Sequence, residues 1–90
     1  MADIQHGTLE SNQVTTVTLD ANYRYVEVLN RSGDAEIYFT VDGPVPSVSG
    51  ADCFVLPAVI SVREVDSRAS GITVVRLIST GTPTWTVSGR

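Results

Sequence analysis

The sequence predicts an all-β fold, a small antiparallel β-sandwich or barrel of 7–8 short strands with a flexible N-terminal arm. Three observations predict it. Val, Ile and Thr supply 29 of the 90 residues, and side chains that are stiff at χ1 suit a pleated surface better than a helix. Apolar and polar residues alternate over short runs, the period of a half-buried strand. Gly, Pro, Asn and Asp interrupt these runs at the spacing of a sandwich or small barrel. Good helix formers are scarce, with no Lys and one Met.

Residues 1–12 are polar and aperiodic and read as the arm, leaving residues 13–90 as one β domain. Two readings of the arm stand open. It is a disordered tail, or it orders against a neighbouring subunit through Ile4 and Leu9.

The first strand is expected from Val14 to Leu19, with Val17 and Leu19 on one face. Asp20-Ala21-Asn22 is a turn, because Asx side chains bond their own backbone and tolerate tight dihedrals. The next strand runs from Tyr23 to Leu29. Val26 and Val28 share one face; Tyr23, Tyr25, Glu27 and Leu29 share the other. Asn30 to Asp34 reads as a hairpin loop, with Gly33 free to take positive φ. Ala35, Ile37, Phe39 and Val41 then alternate with Glu36, Tyr38 and Thr40 in the clearest strand of the chain.

Asp42 to Asp52 reads as a projecting contact loop, since Pro44 and Pro46 hold the backbone extended without ladder donors. Short strands follow at Cys53–Leu56 and Val59–Val65, bent apart at Pro57-Ala58. Asp66 to Gly71 is polar loop. Ile72 to Ser79 is apolar on both parities, as in a strand covered on both faces or seated at a subunit contact. Thr80 to Pro83 is a turn. The last strand, Thr84 to Ser88, points Trp85 and Val87 inward together.

Composition narrows the function. Six Arg against ten acids leave a net charge of −4 without a basic stripe, so direct nucleic-acid binding is not expected. No run approaches the ~20 apolar residues of a membrane span, and the opening residues carry no signal-peptide pattern. The single Cys53 forms no intramolecular disulfide; beside Phe54 and Asp52 it reads as a small hydrophobe rather than a reactive thiol.

No catalytic constellation emerges. His6 is the only histidine and lies in the polar arm, with nothing to orient it as a base. His6 and Cys53 together fall short of a zinc ligand set. Glu27 and Glu36 could face each other across the second hairpin, and Asp42 and Asp52 flank the long loop. Solvated surface accounts for both pairs better than glycosidase chemistry or a calcium site. The expectation is a non-enzymatic protein without cofactor or metal. Tyr23, Tyr25 and Leu29 point instead to a protein interface, where aromatic residues are enriched, or to burial within the domain itself.

The runs VEVLNRSGDAEIYFTVDG (Val26–Gly43), VLPAVISVREV (Val55–Val65) and VVRLISTGTPTWTVSG (Val74–Gly89) resemble a group of small virion proteins of tailed bacteriophages that infect actinobacteria. The resemblance implies a β-sandwich on the phage particle. Its implied role is a capsid decoration protein that binds the outer shell surface, with the major capsid protein and copies of itself, as a trimer, for partners. A minor tail or connector-region component is the rival within the group, and a carbohydrate-binding module on the virion is the rival outside it. The interaction residues expected are Ile4, Leu9, Tyr23, Tyr25, Leu29, Pro44 and Pro46.

Overall fold

Alternation in the sequence becomes strands wherever one parity can be buried. A computed structural model describes residues 3–43, 45–48, 50, 53–67 and 71–90, and Pro44 and Asp52 lie outside them. Among the described residues there are eight strands and no helix: β1 (Asp3–Thr8), β2 (Thr15–Thr18), β3 (Tyr25–Asn30), β4 (Ile37–Val41), β5 (Phe54–Leu56), β6 (Ser61–Asp66), β7 (Val74–Ile78) and β8 (Thr84–Gly89).

The strands form two antiparallel sheets of four, ordered β1-β8-β3-β6 and β2-β7-β4-β5. Sequence neighbours sit in opposite sheets at every connection except β4 to β5. Two interlocked Greek keys with this strand order make an eight-stranded jelly roll. The chain is a sandwich, not a barrel.

The core lies between the sheets. Val26, Val28, Trp85 and Val87 from one sheet meet Val17, Ile37, Phe39, Val75 and Leu77 from the other. Burying each such side chain contributes about 1.5–3 kcal/mol. β4 and β7 are interior strands of their sheet, so Tyr38 and Ile78, on the outer parity, are also largely buried.

Two sequence expectations are corrected. Residues 3–8 are not a free arm: they are β1, paired along their whole length with β8. The strand is polar because one of its faces is solvated. Its close approach depends on Gly7, which lies opposite Trp85; a Cβ there would stand 2.6 Å from the indole Cζ2. Leu9, just beyond, is fully buried.

Asn30 to Asp34 is not a hairpin loop either. Gly33 does take φ +67, but the turn carries the chain from β3 in one sheet to β4 in the other. Asn30, fully buried, holds this crossover. Its Nδ2 donates to the carbonyls of Ala35 (2.8 Å) and Pro57 (3.1 Å), and its Oδ1 accepts from the Gly33 amide (3.0 Å). Other crossovers are tied in the same way. Thr73 Oγ1 accepts from the Tyr23 amide (2.9 Å). Ser79 Oγ donates to the Glu36 carbonyl (2.5 Å). Buried polar groups are tolerated when they are paired like this.

Candidate protein interface

The residues weighed for chemistry and set aside in the sequence are dispersed or already engaged. His6 is exposed on β1, its Nδ1 2.8 Å from Thr86 Oγ1. Cys53 is half-buried and its thiol donates to the Gly50 carbonyl at 3.3 Å. Asp42 Oδ1 accepts from the Val74 amide (2.8 Å) and Oδ2 from Ser67 Oγ (2.7 Å), which fastens the start of β7 to the end of β4. Glu27 and Glu36 do not meet. Glu27 lies opposite Glu64 of β6, while Glu36 precedes β4 in the other sheet and accepts from Tyr38 Oη. Among the described residues, no group of three His, Cys, Asp or Glu could hold a metal ion.

Of the expected interface residues, three are removed from the surface. Leu9 and Tyr23 belong to the core cluster, and Pro46 is buried. Tyr23 precedes β3 instead of opening it, so its ring turns inward. Its hydroxyl donates to Asp20. That bond, together with burial and the nearby Asp20 and Asp3 charges, pushes the phenol up to about 12. Ile4, Tyr25 and Leu29 stand on the outer face of the β1-β8-β3-β6 sheet. Pro44 lies outside the described residues.

The two flanks of the sandwich differ. Where β1 and β2 form the sheet edges, side chains satisfy edge backbone: Gln5 Nε2 donates to the Thr18 carbonyl (3.0 Å), and Asp3 Oδ2 accepts from the Asp20 amide (3.1 Å). On the opposite flank, β5 and β6 are the edges. The gap between the sheets is closed there by Arg63, whose guanidinium lies 4.6 Å over the Phe54 ring. This flank also gathers exposed apolar side chains: Val59 (58%), Ile60 (72%) and Val62 (56%), with Val55 on β5 close in sequence. Gly33 packs its backbone against Val59 and Ile60, and so fixes their position.

Sequence reasoning missed this strip, although one signal was present. Ile60 and Val62 share parity with Glu64 and Asp66. A parity that ends in two carboxylates faces solvent, so the apolar residues on it face solvent as well.

Charges frame the same face. Glu27 and Glu64 stand directly opposite each other, an arrangement that is destabilising unless neutralised. Arg90 bridges both, at 3.4 Å from Glu27 and in contact with Glu64. Arg24 pairs with Asp66 at 3.5 Å and lies over the Tyr25 ring.

Fold and surface together define a class: a minimal jelly roll with one flank sealed by its own side chains and the other open and apolar. No protein-family model, curated protein or solved structure matches the chain.

Proposed function

We propose that this chain is a structural protein of a tailed-bacteriophage virion, specifically a capsid decoration protein. It binds the outside of the assembled shell and stabilises contacts between major capsid subunits, as a homotrimer and without enzymatic activity. The observation that carries the proposal is the open flank, where Val59, Ile60 and Val62 are exposed beside an unpaired sheet edge. Contiguous exposed apolar surface rimmed by polar residues marks interaction sites.

Other features support the reading. Eight-stranded jelly rolls build viral capsid proteins and lectin domains alike, so the architecture agrees with a virion role without selecting it. The net charge of −4 suits the outside of a shell better than its DNA-facing interior. Weak contacts repeated over a lattice add by avidity, so a strip this small suffices. Trp85 is buried against Gly7, which leaves the carbohydrate-binding alternative to rest on Tyr25, exposed on the outer face.

The test is quantitative mass spectrometry of purified particles combined with cryo-EM of the head. The expected result is density for the chain on the outer shell at lattice stoichiometry, and shells that rupture at lower temperature without it. Absence from the particle overturns the proposal. A few copies confined to the tail replace decoration by a tail role.

A further inference from the structure

In an antiparallel ladder, successive residues turn their backbone groups alternately toward and away from the partner strand. The Ser67 amide donates to the Arg24 carbonyl, one step beyond the Tyr25–Asp66 pair. Ser67 therefore faces β3, and so do Val65, Arg63 and Ser61. The reciprocal bonds between Tyr25 and Arg90 set the same phase from the other side, because they direct Tyr25 toward β8. Val62 and Glu64 consequently aim their N–H and C=O groups away from the sheet, at its free edge. Their side chains stand on the exposed outer face.

Charge restricts what can pair there. A second copy adding antiparallel about a two-fold axis must centre on one residue, since partners on one face share parity. Centred on Arg63, it opposes two guanidinium groups. Centred on Glu64, it opposes two carboxylates. Centred on Val62, it sets Ile60 against Glu64, and centred on Val65 it sets Glu64 against Asp66; centred on Ser61 it would match Ile60 with Val62, but the two β6 strands then overlap only at Ser61 itself. Arg63 also points toward the interior over Phe54, and an inward charge is one of the devices that keep sheet edges from pairing with their own kind. A strand of different sequence meets no such obstacle. Among the described residues, Glu27 and Glu64 share the Arg90 guanidinium, which leaves one of these carboxylate charges in excess beside the edge.

We infer that the β6 edge accepts one extended segment of another protein, with apolar side chains facing Ile60 and Val62 and a basic side chain facing Glu64. Hydrogen bonds to the Val62 and Glu64 backbone hold the segment, and the cation fixes its register. The inference deepens the docking role proposed above and rests on it.

The probe is the synthetic peptide Lys-Thr-Lys-Thr-Val-Thr-Val, titrated into the ¹⁵N-labelled chain and followed by NMR. Its third residue faces Glu64 in the antiparallel register. The expected result is shifted and exchange-protected amides at Val62 and Glu64. Binding should be about tenfold or more tighter than for Glu-Thr-Glu-Thr-Val-Thr-Val. It should be lost when the third peptide residue is N-methylated. Equal binding of the two peptides, retained binding after N-methylation, shifts away from β6, or no shifts at millimolar peptide each overturn the inference. A chain stoichiometric on virions yet silent to the peptide loses the edge mechanism alone; a chain that binds the peptide yet is missing from virions loses the virion role alone.

Discussion

Replacing Asn30 by alanine removes three hydrogen bonds at once from the crossover between the sheets. The lost contacts are those to Ala35 O, Pro57 O and Gly33 N, at 2.8, 3.1 and 3.0 Å. Each bond contributes about 0.5–1.5 kcal/mol net, and an orphaned buried partner costs more than the bond was worth. Water reaches part of the Pro57 side, which tempers the loss. The expected destabilisation is therefore about 3 kcal/mol, a large share of the about 5–15 kcal/mol that holds a domain together. In a domain of this size Tm should fall by about 12–24 °C. Urea unfolding followed by circular dichroism measures it directly. Asn30→Asp keeps the acceptor for Gly33 but sets a carboxylate against two carbonyls. Its loss should be at least as large at neutral pH and should shrink in acid, where the protonated acid donates one bond. A change below about 1 kcal/mol in Asn30→Ala would refute the assignment of Asn30 as the crossover's fastening.

Three further outcomes follow from the same packing. Gly7→Ala places a methyl 2.6 Å from the Trp85 ring. It should cost about 1–3 kcal/mol and red-shift the emission of this single tryptophan as β1 lifts away; unchanged emission and Tm would contradict the β1–β8 packing. Phe39→Ala, at a fully buried position, should cost about 3–5 kcal/mol in the same urea assay, and a value under about 1 kcal/mol would deny Phe39 its central place. Tyr23 holds its proton more tightly folded than unfolded, with its phenol pushed from 10.0 up to about 12. Its stabilising contribution is thus complete below pH 10 and is lost as pH rises toward 12. Tyr23→Phe should flatten that alkaline decline, and an unchanged slope would remove Tyr23 from its cause.

Strands were legible in the sequence where alternation alone decides them. The strands read at Ala35–Val41 and Thr84–Ser88 appear as β4 and β8, within two residues of those bounds, because their apolar parity is unbroken. Partner choice was not legible, since it is not local. β1 meets β8 across almost the whole chain, and nothing in the polar run from Asp3 to Thr8 announces a strand until Gly7 is set against Trp85. Gly33 was rightly placed in a left-handed turn, but the same dihedral serves a hairpin and a sheet-to-sheet crossover. Tyr23 misled because it precedes an alternating run and falls on its outer parity, whereas it lies before β3 and turns inward. Tyr25 and Leu29 were read as sharing a face opposite Val26 and Val28, as they do, but which of the two faces meets solvent was not legible because both carry bulk. The Val59–Val62 strip escaped because the strand at Val59–Val65 was read without assigning its faces.

The jelly-roll path explains why the polar and apolar exceptions fall where they do. A chain that changes sheets at nearly every connection must bury turning backbone at the ends of the sandwich, and buried backbone needs partners. Asn30, Thr73 and Ser79 supply them at the β3–β4, β6–β7 and β7–β8 crossovers and are fully buried for that reason. The core is thereby closed at the ends and, through Gln5 and Asp3, along one flank. Among the described residues, the β5–β6 flank is closed only by Arg63 on Phe54 and, at its end, by Asn30 on the Pro57 carbonyl. Val59, Ile60 and Val62 remain exposed there even though the fold has no use for them in its own core. Apolar side chains held at a free edge by a rigid scaffold gain stability only from something outside the chain, which is why the functional reading is placed on this flank and not on the buried tyrosine. Ile60→Asp should separate the two roles. It leaves the isolated domain within about 0.5 kcal/mol of its original stability while abolishing association with particles. Loss of folding, or undiminished association, would show that the strip serves the fold or serves nothing.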